Sequence, residues 1–336
     1  MLFWLLFNLK LRNMKKITFA IPTRNRRENL KKNLVRLAPL LDEHCVLFII
    51  DNGSNYPVAE VISEALPETY SFELIVVINK TNLGAVTNVL RCFELCNTEW
   101  IYLVGDSKLV SNTIVLQLRE DIKKHKQAAF INYYYADKRH SQRTNTVITK
   151  GIYEFIYNMG SFGNLILIGN SLYNVKRLIA NLPQAYMQGS SHAAHISLVI
   201  TSIKDDTCCV LSKETIIDKF LEKPSGTQTQ TMIDCWVGFS TMMDLVSNDK
   251  ARKLLGRTIS GVSGAKTESF FIFIKSILLY SRDYGRLRAN YFLNRVVSLR
   301  YYYGVNIFER MAIMVVTMIF KIPFLHKFFI YLIKRK

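Results

Sequence analysis

Two aspartates and two histidines are the residues best placed by type and spacing to do chemistry. Asp51, in Asp51-Asn52-Gly53-Ser54, and Asp106, in Gly105-Asp106-Ser107-Lys108, each follow an unbroken apolar run. A carboxylate there can accept hydrogen bonds from N–H donors. His192 and His195 lie in Gly189-Ser190-Ser191-His192-Ala193-Ala194-His195, an expected helix start capped by Ser190 or Ser191. A helix N-terminus disfavours the imidazolium, which leaves a neutral ring able to take a proton near pH 7. The His-x-x-His pair has no third ligand at zinc spacing, so zinc hydrolysis is not indicated. Asp205-Asp206 is a reserve acidic pair that reads first as a turn into a strand. Pro22-Thr23-Arg24-Asn25-Arg26 and the stretch Asn79 to Gly84 are two further polar segments poor in bulk. Taken singly each has a plain reading, since Asp-Asn-Gly-Ser is good turn chemistry and Asn82 can cap a helix.

The elements that would position these groups alternate strand and helix. Strands are expected at Ile17 to Ile21 (ended by Pro22), Val46 to Ile50, Leu74 to Ile78 and Trp100 to Val104. Continuous apolar runs of this length suit strands buried on both faces. Helices are expected at Arg26 to Leu37, Val58 to Leu66 and Leu83 to Cys96, then at Thr113 to Lys126, followed by a strand from Ala128 to Tyr133. Four such units predict an α/β fold with a mostly parallel sheet flanked by helices, with its ligand outside the carboxyl ends of the strands. All four polar segments then fall on one sheet edge. A Ser, Gly, Thr and Gln stretch at Pro224 to Thr231 reads as a linker, and the chain beyond it as helical.

The 336 residues carry a formal charge of +18, with 49% hydrophobic and 21% charged residues, which excludes a disordered chain. Residues 10–36 hold ten Lys or Arg against one acid, and residues 275–336 hold twelve against two. The middle, with 22 basic and 23 acidic residues, is neutral. A protein that coats nucleic acid would spread its excess more widely, and nucleic acid is not an expected partner. Tyr133-Tyr134-Tyr135 alternates on a predicted strand and offers at most one face for stacking on RNA bases. Six cysteines without C-x-x-C spacing point to reduced thiols in a cytosolic setting. No Gly-rich dinucleotide fingerprint or P-loop follows the first strand, which counts against a dehydrogenase or kinase.

Ile21-Pro22-Thr23-Arg24-Asn25-Arg26, Ile50-Asp51-Asn52-Gly53-Ser54, Asn82-Leu83-Gly84 with Asn88, and Trp100 to Asp106 together resemble the family 2 glycosyltransferases of GT-A fold, of the bacterial O-antigen and capsule type that includes abequosyltransferase-like enzymes. The resemblance covers residues 17–110, with a weaker echo over Gly163 to Tyr173. It implies inverting transfer of a sugar, hexose or deoxyhexose, from a nucleotide-diphospho-sugar donor to a hydroxyl of a polyprenyl-diphosphate-linked glycan. It assigns donor binding to Pro22, Thr23, Asn25, Arg26, Asp51, Asn82, Gly84, Asn88, Asp106 and Lys108, with Arg24, Arg26 and Arg27 beside the diphosphate. It places Asp106 at the metal position, for Mg2+ or Mn2+. The family commonly has Asp-any-Asp there; this chain has Asp106-Ser107-Lys108. Either Asp106 holds the cation with ligands from elsewhere, or a cation such as Lys108 stabilises the leaving diphosphate in its place. The base is expected after the metal motif, at His192 or His195.

The expected division is a possible mis-start or short apolar anchor over residues 1–14, with Met14 as an alternative start, a catalytic domain over 15–222, and a helical, basic, membrane-surface region over 223–336. Met311 to Ile333 is long enough to cross a bilayer, yet Lys321, Pro323, His326 and Lys327 interrupt it, which favours an in-plane or half-inserted helical hairpin at an anionic membrane surface. The expected location is peripheral, on the cytoplasmic face of the plasma membrane. A membrane-surface scaffold that keeps the fold and has lost catalysis is the alternative.

Overall fold

The computed structural model describes residues 17–105, 107–134, 143–159, 163–189, 193–221, 238–239, 241–260, 278–279, 281–282, 285–287, 289–291, 294 and 307–334. His192, Asp106, Tyr135 and the segments 1–16 and 222–237 lie outside them.

Among the described residues ten strands run in chain order as β1 Ile17–Thr23, β2 Cys45–Asp51, β3 Glu73–Ile78, β4 Trp100–Leu103, β5 Lys108–Val110, β6 Ala128–Asn132, β7 Val147–Lys150, β8 Ser171–Asn174, β9 Cys208–Leu211 and β10 Ile217–Phe220. Eight form one sheet in the order β3-β2-β1-β4-β8-β6-β9-β7, and β5 pairs with β10 in a small antiparallel sheet. β3, β2, β1 and β4 are mutually parallel, as the repeated strand–helix units require. β8 is antiparallel to both β4 and β6, while β9 is parallel to β6. The carboxyl ends of β1, β2, β3, β4, β6 and β9 therefore share one edge, together with the start of β8.

The continuous apolar strands are buried on both faces. Phe19, Leu47, Ile49, Tyr102 and Ile131 point into one core, and Ala20, Phe48, Ile50, Leu103 and Phe130 into the other, following the two-residue alternation of a strand. The first core is covered by helices α1 Arg27–Leu37, α2 Val58–Ala65 and α4 Ile114–Lys124. The second is covered by α3 Ala85–Glu94, α5 Gly151–Asn158, the short helices α6 Gly163–Ile166, α7 Val175–Leu178 and α8 Leu182–Met187, and α9 Ala194–Ser202. β3 departs from the expectation of burial on both faces. It lies at one edge of the sheet, and Val76 and Ile78 stay exposed.

β1 also runs on through Pro22 to Thr23, which pair with Ile50 and Asp51. Alternating residues of a parallel strand address opposite neighbours. Thr23 O faces β2, where it accepts from Asn52 N, and Ala20 O faces β4, where it accepts from Val104 N. The missing N–H of Pro22 thus points to the β4 side, beyond the last paired residues, Ala20 and Leu103. The expected division after residue 222 is not a break in packing, because Phe239, Met242, Val246, Ala251 and Leu255 share the second core. The tail forms helices α11 Ile307–Lys321 and α12 Pro323–Lys334, with α10 at Asp249–Ser260 before them. Among the described residues no helix is long and apolar enough to cross a membrane.

Candidate functional site

The carboxyl edge of β1 to β4 is built from short polar side chains that hold one another. Asp51, 3% exposed at the end of β2, accepts from Ser54 N at 3.1 Å through both carboxylate oxygens and from Ser54 Oγ. This turn closes onto the neighbouring one. Asn25 N donates to Ser54 Oγ at 2.9 Å, and Asn25 Oδ1 accepts from Asn55 N at 2.8 Å. Those bonds hold Asn25 at a φ of 53°, in the left-handed region that Asn tolerates better than most residues.

Asn52 and Asn79 join this floor to the loop after β3. Asn52 donates to Asn82 Oδ1 at 2.8 Å and Gly84 O at 3.2 Å, while its Oδ1 accepts from Leu83 N and Asn79 Nδ2. Asn79 also donates to Asn88 Oδ1 at 2.9 Å, and Asn88 Nδ2 donates to Ile50 O at 3.1 Å. Gly84, at a φ of 85°, turns the chain into α3. Asn88 is buried with both ends of its amide engaged by protein groups, so it braces the edge from below. Asn52 and Asn79 act as the hubs. The signal for them in the sequence was their position directly after two apolar strands.

The rim is cationic in part. Arg24, Asn25 and Arg26, which follow β1, are exposed, as are Asn82 and Gly84 after β3, whereas Thr23, at the end of β1, is 2% exposed. Its Oγ1 is buried without a hydrogen-bond partner. Arg27 does not line this edge as expected: its guanidinium pairs with Glu60 at 3.5 Å and with Glu64 across to α2.

On the other half of the edge, the segment 164–170 is held by its carbonyls. Asn132 Nδ2, at the end of β6, donates to Asn164 O, Asn170 O and Ser171 Oγ. Tyr102 OH donates to Gly169 O at 2.6 Å, and Lys108 Nζ to Ile168 O at 2.7 Å. His195 Nε2 lies 3.2 Å from Leu165 O, which makes that nitrogen the protonated one. Arg143 locks Asn132 in turn, bonding Asn132 O, Asn132 Oδ1 and Ser212 O. Burial holds the Arg143 guanidinium down at about 10. Segment 164–170 rests directly on the loop that carries Asp106, since a Cβ added to Gly105 would lie 3.1 Å from Ile168 O. Asn164 Nδ2, Asn164 Oδ1 and Asn170 Nδ2 are buried here without partners. Buried polar atoms left open in a native protein call for water or a ligand.

Four sequence expectations change. Lys108 is 6% exposed and its ammonium fastens segment 164–170, so it does not stand open to a diphosphate. His195 is 4% exposed within α9, where burial, opposed by its bond to Leu165 O and aided by Lys108, lowers its pKa to about 4. A ring so buried, and so weakly basic, is a brace and not a proton acceptor for a substrate hydroxyl. The helix it belongs to begins at Ala194 with Ala193 as its N-cap. Asp205-Asp206 precede the start of β9, which puts them at the opposite edge of the sheet. As for RNA stacking, Tyr133 and Tyr134 are buried and Tyr133 OH bonds Asp121.

The residues beside Asp106 add one hydroxyl, Ser107, and the buried ammonium of Lys108. Among the described residues no group of three or more His, Cys, Asp or Glu converges. The described residues alone therefore do not make a cage for Mg2+ or Mn2+, which prefer several oxygen ligands.

Residues 18–172, from β1 to β8, match the family model of Glycosyl transferase family 2. No curated protein matches the chain. Among solved structures, S. aureus TarS 1–349 is similar with a TM-score of 0.55 at 11% identity, over 91% of each chain. TarS 1–349 in complex with UDP-GlcNAc gives 0.56 at 11% identity, again over 91% of each chain. In complex with UDP it gives 0.56 at 11% identity, over 92% of this chain and 91% of that one. At such identities the likeness is one of fold, and the mixed, mostly parallel sheet with flanking helices is the GT-A architecture.

Proposed function

We propose, from the match of residues 18–172 to a family 2 glycosyl transferase, that this protein transfers a sugar from a nucleotide-diphospho-sugar to a hydroxyl acceptor. The observation that carries the reading is the carboxyl edge of β1 to β4. There Asp51, Asn52, Asn79 and Asn82 form one bonded floor beside the unpartnered Thr23 hydroxyl. Such a floor suits a nucleotide: a carboxylate accepts from N–H donors on a base edge, and an unpaired hydroxyl can bond a ligand oxygen. Arg24 and Arg26 on the rim suit a diphosphate. The acceptor enters over segment 164–170, which Lys108, Tyr102, Asn132 and His195 hold in place beside the reacting end of the donor.

With His195 buried as a brace, the base assigned here is His192, three residues earlier and outside the described residues. Its imidazole takes the proton of the attacking hydroxyl as that oxygen bonds the anomeric carbon and the nucleotide diphosphate departs. We assign the acceptor to the lipid-linked glycans of surface polysaccharide synthesis, an assignment supported by the family resemblance and the basic C-terminal region.

The test is a screen of nucleotide sugars by thermal shift, with and without Mn2+, followed by a transfer assay with the donor that binds. A stabilising donor whose effect is lost in Asp51→Ala is the expected outcome, and the Mn2+ arm reads the cation proposed for Asp106. If no nucleotide sugar stabilises the protein, the reading is wrong. The scaffold alternative is motivated by Ser107 and Lys108 in place of further acids, and donor binding without transfer or hydrolysis would favour it.

A further inference from the structure

The C-terminal helices α11 and α12 leave apolar faces in water. On α11, Phe308, Met311, Val315 and Met318 are exposed; on α12, Phe324 and Phe328 are, and the six side chains range from 49% to 78% exposure. At about 100° per residue the four on α11 fall within an arc of roughly 80°, so they form a stripe and not a scatter. Phe324 and Phe328 sit one helical turn apart, and Lys327 is exposed between them.

These helices are built, not frayed. Arg286 Nη1 donates to Phe320 O at 2.7 Å and to Lys321 O, closing the C-terminus of α11. Ser281 Oγ and His326 Nε2 are 2.8 Å apart, and Phe320 is fully buried. The unit thus has an inner side satisfied by Ser281 and Arg286 and an outer side that is apolar and exposed. Isolated exposed apolar residues are ordinary, but a stripe of this kind on a closed helix pair is a contact surface.

We propose that the outer faces of α11 and α12 dock into an anionic lipid surface, with Phe and Met side chains entering the acyl boundary and the Lys and Arg residues at the headgroups. Charge decides for lipid over a second copy of the chain. Residues 275–336 carry twelve Lys or Arg against two acids, so two copies meeting here would bring a net +10 against +10, whereas anionic headgroups attract it. An in-plane helix with aromatic and Met residues on one side and cations flanking them is the geometry of interfacial binding. The surface stands independently of the transfer chemistry, which it would bring to a membrane-borne acceptor.

The full chain is mixed with phosphatidylcholine vesicles, with and without phosphatidylglycerol, and floated on a density gradient. Phe324→Trp, read as the difference from the wild type with its own three tryptophans, reports insertion through a blue-shifted emission quenched by brominated acyl chains. The wild type is expected to float with the anionic vesicles, less so at raised salt. Met318→Glu with Phe324→Glu is expected to lower binding by at least about tenfold, for two apolar side chains kept out of the acyl region. Unchanged melting in the double variant shows that its fold is intact; should it melt early, the quenching measured in Phe324→Trp decides alone. Failure to float at low salt, wild-type binding by the double variant, or emission from Phe324→Trp that brominated lipid leaves unquenched overturns the proposal. So does light scattering that shows a dimer abolished by the double variant without vesicle binding, which would give the face to a second copy.

Discussion

His195 tests whether the histidine after the metal motif serves as base or as brace. Burial holds its pKa at about 4 against an ordinary 6.5, with the bond to Leu165 O opposing and the charge of Lys108 adding to the fall. The native state therefore keeps the ring neutral at pH values where the unfolded chain protonates it. The stability this contributes is fully present above about pH 6.5 and is lost as the pH falls toward about 4. That fall in pKa corresponds to about 3 kcal/mol over the whole window, most of it between roughly pH 7.5 and 4.5. His195→Gln keeps an N–H that can reach Leu165 O and removes the titration. Urea unfolding of both proteins at the two pH values isolates the term, because every other group titrates in both. The wild type should lose roughly 2 to 3 kcal/mol more than the variant on acidification. Equal losses would refute the buried, neutral assignment. A variant with wild-type stability but turnover lowered on the order of 100-fold would instead make His195 the base.

Three further perturbations probe the edge. Thr23→Val replaces an already unpartnered hydroxyl, so melting should shift little or upward while the KM for the donor rises several-fold; an unchanged KM would remove Thr23 from the donor site. Asn79→Ala strips buried Asn52 Oδ1 and Asn88 Oδ1 of a donor and should cost about 2 kcal/mol in urea unfolding, with donor affinity falling as well. Gly105→Ala sets a Cβ 3.1 Å from the backbone oxygen of Ile168 and should lower turnover while the thermal shift by donor persists. Equal loss of both would place segment 164–170 in donor binding.

Much of the first half of the fold was legible in residues 17–110. The unbroken apolar runs Val46 to Ile50 and Trp100 to Val104 are buried on both faces as inner strands of a covered sheet, and the Asn, Asp and Gly that follow the strands mark their carboxyl ends. Thr23, Asp51, Asn82 and Gly84 fall together for that reason, because chain direction alone puts the ends of consecutive parallel strands on one edge. The second half was not legible. Ser171 to Asn174 reads as an ordinary short strand, and only its pairing with both β4 and β6 decides that it runs antiparallel between them.

Sequence by itself determined the strand–helix alternation, the polar edge and the clustered charge of the tail, since those follow from the order of residue types along the chain. Tertiary structure decided what the charged and titratable groups near that edge do. Lys108 becomes a fastener because Ile168, sixty residues on, offers its carbonyl, and His195 stays neutral because Leu165, thirty residues back, meets its ring inside the core. Asp205-Asp206 drop out because β9 runs parallel to β6 and so begins at the far edge. Protonation and reach depend on burial and on partners brought together by folding, and neither is a property of local spacing.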